Sequence, residues 1–191
     1  MSLKILQLAA AVENSDEFNE ARLLLLLEAA SRKGEIAKPF EGIMKLAKMD
    51  FLLRYPNMLV RALNVIGETK KSALAAAAAI PDEDRDTIEA RMIRFRFGPW
   101  DPRYRRWLSI LVAKQLVSVY REGRTVKIQL SQKGRQVAEH LANDEPFKPL
   151  AERAQVVNSA VGNMSSTKIT AFVYKIAPEI INMKWGHAID L

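Results

Sequence analysis

The residues best placed to do chemistry in this 191-residue chain are arginines. Residues 94 to 107, RFRFGPWDPRYRRW, carry Arg94, Arg96, Arg103, Arg105 and Arg106 among phenylalanines, tryptophans and a tyrosine. Guanidinium groups at that density suit phosphate or carboxylate, because each offers a rigid fork of N–H donors and a permanent charge. Covalent chemistry has few candidates. There is no cysteine, hence no disulfide, thiolate metal site or cysteine nucleophile. The two histidines, His140 and His187, are far apart in sequence. No phosphate-cradling G-x-x-x-x-G-K-[ST] or G-x-G-x-x-G stretch occurs, and no G-x-S-x-G or H-E-x-x-H. Acids cluster in PDEDRDTIE (81–89), beside an alanine-rich run, and read as a solvated helix start. The expectation is a binding or assembly protein with no catalytic residues, cofactor or metal.

Charge is unevenly placed. The chain carries a net +7, but Arg91 to Arg135 alone holds twelve Lys/Arg and two acids. The rest of the chain is slightly acidic. A single basic module in such a chain points to a polyanion or an acidic protein partner, or else to arginines that merely solvate its outer faces.

The hydrophobic fraction of 49% is ordinary for a chain with a real core. Residues 16–32, DEFNEARLLLLLEAASR, read as a helix buried on two sides. Acids sit in its first turn, Arg32 and Lys33 at its close, and Gly34 as its stop. In 39–67, Ile43, Leu46 and Ala47 recur at helical spacing, with Lys45 and Lys48 expected outward. Asp50 is expected to cap a further turn, FLLRY, before Pro56 opens a helix with Met58, Leu59, Ala62 and Leu63 on one stripe and Gly67 at its end. IRFRF alternates as a half-buried strand, with Ile93, Phe95 and Phe97 inward and Arg94 and Arg96 outward. GPWDP reads as the turn, Asp101 as N-cap and Pro102 as first helical residue. The helix that follows puts Tyr104, Trp107, Leu108, Leu111 and Val112 on one stripe.

LVSVYREGRTVKIQL reads as a hairpin. Setting Val119 against Val126 and Val117 against Ile128 makes Glu122-Gly123 the tip and places Arg121 opposite Arg124. Like charges facing across a hairpin are unfavourable by a few tenths to about 1 kcal/mol. An anionic partner would explain them. Ser131 then caps a helix with Val137, Ala138 and Leu141. Two further helices are expected, one over about 149–161 and one from Ser165 or Ser166 to Pro178, followed by an apolar tail, EIINMKWGHAIDL.

The fold class so read is mainly α with a small β-hairpin: a winged helix-turn-helix-like domain plus C-terminal helices. Its parts are N-terminal helices (1–67), an alanine-rich insertion (68–86), a basic winged-helix module (87–143) and a C-terminal helical appendage (144–191). The candidate nucleic-acid contacts are Arg94, Arg96, Arg103, Arg105, Arg106, Lys114, Arg121, Arg124 and Lys127. The candidate partner contacts are Phe172, Ile176, Ile180, Ile181, Met183 and Trp185, because the tail is expected to dock on another chain. The first 18 residues lack the pattern of a secretory leader, and LLLLL (23–27) is too short for a bilayer. The expected compartment is the cytoplasm, away from membranes.

Two stretches, GIMKLAKMDFLLRYP (42–56) and RMIRFRFGPWDPRYRRWLSILVAKQLV (91–117), resemble the middle components of bacterial three-component ABC-ATPase systems, the Lamassu-type anti-phage and anti-plasmid defence complexes. The resemblance spans roughly 20–177 and leaves the alanine-rich insertion unmatched. It implies a non-catalytic subunit whose partners are an SMC-like ABC ATPase and an effector, often a nuclease, and which bridges the ATPase heads or coiled coils. The residues alone also admit a stand-alone winged-helix regulator that puts its third helix in the major groove of double-stranded DNA.

Overall fold

The computed structural model describes residues 15–31, 38–67 and 91–191, together with Ala75. The expected helix end at Arg32, Lys33 and Gly34 lies outside the described residues. So do the acids of 81–89 and, Ala75 apart, the insertion at 68–86.

The described chain is mainly helical, with small antiparallel sheets. In order it runs α1 (Asp16–Ser31), β1 (Phe40–Glu41), α2 (Ile43–Arg54), α3 (Pro56–Ile66), β2 (Ile93–Phe95), β3 (Gly98–Trp100) and α4 (Tyr104–Ala113). There follow β4 (Val117–Glu122), β5 (Thr125–Leu130), α5 (Gln132–Asn143), α6 (Lys148–Val161), α7 (Ser166–Ile176) and a 3-10 helix (Pro178–Asn182). One sheet has the order β1-β5-β4 and a second pairs β2 with β3.

Helix α1 is the axis of the core. Ser15 Oγ accepts the Phe18 N–H at 3.1 Å, satisfying a first-turn donor. Every residue from Asn19 to Ala29 is buried, because α6, α5 and α4 all pack around it. A helix apolar nearly all round can fold only where neighbours cover each face. Helix α2 is similar, buried from Leu46 to Leu53.

That enclosure brings charges inside. Asp50 sits in the middle of α2, not at a cap, and is fully buried. Its Oδ1 accepts from Arg22 Nε of α1 at 2.7 Å, and its Oδ2 accepts from Tyr104 Oη of α4 at 2.6 Å. Arg54 Nε lies 3.1 Å from the same Oδ2. Arg54 then reaches Asp101 Oδ2 at 3.0 Å, and Asp101 also accepts from Arg103 Nε at 3.0 Å and Nη2 at 2.9 Å. Trp107 stands among the three guanidiniums of Arg22, Arg54 and Arg103, 4.8 to 5.7 Å from its ring centroid.

The cap of α4 differs from expectation. The helix starts at Tyr104, and Asp101 instead accepts the Arg103 N–H at 3.0 Å, closing a turn just ahead of it. GPW is strand β3, and the turn is Arg96-Phe97. At its far end α4 closes with Leu116 N–H on the Leu111 carbonyl at 2.9 Å and Gln115 at φ 61, a left-handed position more often held by glycine.

The β4–β5 hairpin pairs Val117 with Leu130 and Val119 with Ile128, so Arg121 faces Val126 and Glu122 faces Thr125. The expected Arg121–Arg124 pairing is corrected: the loop is Gly123-Arg124, with Gly123 at φ 58. A positive φ at the first loop position is what a two-residue II′ turn requires, and glycine supplies it. Ser131 accepts from Gly134 N–H at 2.9 Å and caps α5, as expected. A Cβ at Gly134 would fall 1.9 Å from the Leu116 carbonyl oxygen, so only glycine lets α5 approach the start of β4.

Residues 144–191 are not appended to a finished core. Ala154, Val157, Val161, Ile169, Val173, Ile176, Ile180 and Ile189 belong to the same buried cluster as Leu23, Phe51 and Trp107. The tail folds back rather than reaching outward. Arg94 N–H donates to the His187 carbonyl at 2.8 Å, Ile189 N–H to Met92 at 2.8 Å, and Tyr55 Oη to the Ile189 carbonyl at 3.0 Å.

Asp50→Asn leaves two buried arginines short of their carboxylate. The expected loss is about 3–5 kcal/mol of unfolding free energy, measured by denaturant titration. Burial alone would raise the Asp50 pKa, but the charges of Arg22 and Arg54 and the hydrogen bonds from Arg22 and Tyr104 hold it below the ordinary value. A carboxylate depressed on folding contributes stability above its unfolded pKa and loses it as pH falls towards the folded one. Wild type therefore loses stability on acidification by an amount that Asp50→Asn does not show.

Candidate nucleic-acid interface and docking surface

The basic module sorts into buried, paired and exposed cations. Arg94 was expected on the open face of its strand, but it is buried, and the reason is the tail. With Pro99 opposite it and offering no N–H, Arg94 turns its backbone to residues 186–187. Its guanidinium passes inward to donate from Nε to the Ile180 carbonyl at 2.9 Å and to lie 5.4 Å over the Tyr174 ring. The strand is thus inside out. Phe95 and Phe97, expected in the core, are 42% and 50% exposed.

Lys127 is also internal in its partners. It faces Glu41 across β1 and Tyr120 across β4. Its Nζ donates to Glu41 and lies 3.0 Å from Glu122. These contacts, Glu41 first, raise its pKa. Arg103 belongs to the Asp101 cluster. Lys114 pairs with Glu20 at 2.6 Å and Arg106 with Asp16 at 2.6 Å, each still partly open to solvent. Arg96 lies 5.3 Å over the Phe97 ring. Arg105, Arg121 and Arg124 are exposed and make no ion pair among the described residues. Of the nine expected contacts, these three and Arg96 have most freedom to meet an external anion.

The expected partner residues divide as well. Ile176 and Ile180 are buried in the chain's own core, and Phe172 and Met183 pack partly against it. Ile181 and Trp185 are exposed, at 52% and 64%. Trp185 does not stand alone: its ring is 6.3 Å from Phe95, which is 6.2 Å from half-buried Trp100. Sequence reasoning missed the Phe95 half of this surface, because it placed that strand's phenylalanines inward.

Lys48, expected outward and solvated, is completely buried on α2, and burial with Arg94 nearby lowers its amine to about 7. Lys45 is half-buried and donates to the Gly162 carbonyl at 2.7 Å. A cavity of about 490 Å³ lies between the end of α1, β1 and the start of α7, lined by Phe40, Lys45, Ile128 and Ser166 among others. Among the described residues no group of three or more His, Asp or Glu could hold a metal ion, and no helix is long and apolar enough to cross a membrane.

Comparison with protein-family models, curated proteins and solved structures returned no match for this chain.

Stability measurements should separate the two kinds of arginine. Arg94→Ala strips the Ile180 carbonyl of its charged donor inside the fold and is expected to lower stability by about 1–3 kcal/mol. Arg121→Ala with Arg124→Ala touches only solvated side chains and should stay within about 0.5 kcal/mol per site.

Proposed function

We propose that this chain is a non-catalytic accessory subunit on a winged-helix frame, which assembles with an SMC-like ABC ATPase and an effector nuclease in a bacterial anti-phage and anti-plasmid defence complex. The observation that carries the assembly role is the exposed surface of Phe95, Phe97, Ile181 and Trp185. Large side chains held out in water beside an arginine have the composition of an interface anchor. The two expected partner residues that are exposed, Ile181 and Trp185, share this surface character with the hairpin.

The winged-helix frame is supported by element order. A helix, a short strand and further helices precede α4, and the following hairpin gives its second strand, β5, to the short strand β1. In this frame α4 takes the place of the recognition helix, with α3 additional to the basic pattern, and β4–β5 is the wing. The ATPase and nuclease are chosen on the resemblance of residues 42–56 and 91–117 to the middle components. Those two stretches supply Asp50, Arg54, Asp101, Arg103, Tyr104 and Trp107, so the segments that carry the resemblance meet in one packed centre.

A second reading, a stand-alone winged-helix regulator of transcription, is favoured by the free arginines Arg105, Arg121 and Arg124. It is separated by a salt series. Contact with duplex phosphates lowers log affinity by about 0.9 per neutralised phosphate for each log unit of salt. Tight binding to a specific duplex by the chain alone favours the regulator.

The assembly reading is tested by co-expressing the chain with an SMC-like ABC ATPase from the same genome and resolving the mixture by size exclusion. Wild type is expected to co-elute. Phe97→Ser with Trp185→Ser is expected to separate from the ATPase while keeping its unfolding midpoint. Separate elution of the wild type at micromolar concentration would overturn the proposal.

A further inference from the structure

Beneath the β2–β3 hairpin lie two cations whose donors are left over. Lys48 projects from α2 with its side chain enclosed, and its Nζ has no hydrogen-bond partner. Arg94 comes from β2. Its Nε is used by the Ile180 carbonyl, but its Nη1 is buried with no partner. The charge that acts on Lys48 is that of Arg94, a like charge that adds to the cost of burial. Folded proteins leave few buried donors unsatisfied, and an isolated buried charge is costlier still. Two such cations side by side ask for an anion.

The room between them is small. Gly98, at φ +107, has no side chain to fill its corner. A Cβ there would stand 3.5 Å from Lys48 Cε and 3.9 Å from both Lys48 Nζ and Tyr174 Oη. Amine and hydroxyl thus both lie against the bare face of Gly98, and the Tyr174 ring also carries the Arg94 guanidinium. A monatomic anion accepts from any direction, so it can serve donors that come from three separate elements.

We propose that Lys48 Nζ, Arg94 Nη1 and the Tyr174 hydroxyl form an enclosed site for a single halide ion. The ion would compensate the paired charges, keep Lys48 protonated and tie the hairpin bearing Phe95 and Phe97 to α2 and α7. Nothing in this depends on the assembly reading.

The test is thermal unfolding of the full chain at neutral pH in sodium chloride and in sodium gluconate at equal ionic strength. Wild-type midpoints should rise with chloride concentration as the site fills, since a ligand held only by the folded state stabilises it logarithmically. Lys48→Met keeps the length of the side chain without its charge and should be indifferent to the choice of salt. Equal melting of the wild type in both salts, or an equal chloride response in Lys48→Met, overturns the site. Should Lys48→Met not fold, wild-type crystals grown in sodium bromide decide. An anomalous peak within hydrogen-bond reach of Lys48 Nζ supports the proposal, and an empty position there overturns it.

Discussion

The structure hangs on the Asp50 carboxylate. It is fully buried, and it holds Arg22 of α1, Arg54 of its own helix and Tyr104 of α4. Three helices are registered by one side chain. A buried ion pair is weak evidence for stability, because desolvation offsets most of the attraction. Its effect is geometric. A guanidinium removed from water needs acceptors in fixed directions, so Arg22 and Arg54 admit few alternative packings of α1 against α2. Arg54 extends the constraint to Asp101, and Asp101 fixes the turn from which α4 departs. The position of α4 and of the β4–β5 hairpin behind it therefore depends on a carboxylate in α2.

The same enclosure explains why α2 carries a buried lysine on another side. Once the helix is covered from Leu46 to Leu53, any polar residue in that span must be compensated or left in debt to solvation. Asp50 is compensated by Arg22, Arg54 and Tyr104. Lys48 is not, and the charge that acts on it is that of Arg94, drawn inward by the Ile180 carbonyl and the Tyr174 ring. Turning Arg94 inward necessarily turns Phe95 outward, since successive strand residues face opposite sides. The exposed aromatic surface and the buried cation pair are thus two consequences of one strand orientation.

Features set by short-range chemistry were legible in the sequence. Pro56 opens α3, Gly67 closes it in the left-handed region, and Ser131 and Ser165 cap α5 and α7, because capping needs only residues a few positions away. The existence of the β4–β5 hairpin was legible for the same reason. Its register was not: a shift of two leaves the same residues on each face, so alternation cannot distinguish the two pairings. Nor can alternation in IRFRF say which face is the inner one. That choice was made by Pro99, the tail and Tyr174, and the tail's His187 lies 93 positions from Arg94. Of the candidate site, the exposed Arg105, Arg121, Arg124, Ile181 and Trp185 were legible, while Arg94, Lys127, Ile176 and Ile180 were claimed by distant partners.

The cations so claimed narrow what the basic module can be. Its excess of positive charge is drawn down from within, by buried Asp101 and Glu20 and by Asp16, Glu41 and Glu122 nearer the surface. Much of the charge asymmetry of the sequence is thus an accounting between segments that fold together, and does not by itself demand a polyanion. What folding leaves unspent lies in two places, the exposed arginines of α4 and the β4–β5 hairpin, and the aromatic face of the β2–β3 hairpin with the tail. The first can attract a charged surface over a distance. The second can hold an apolar one only in contact. A chain that presents both kinds of surface, with neither consumed by its own core, has the physical means to be drawn to a partner by one and retained by the other.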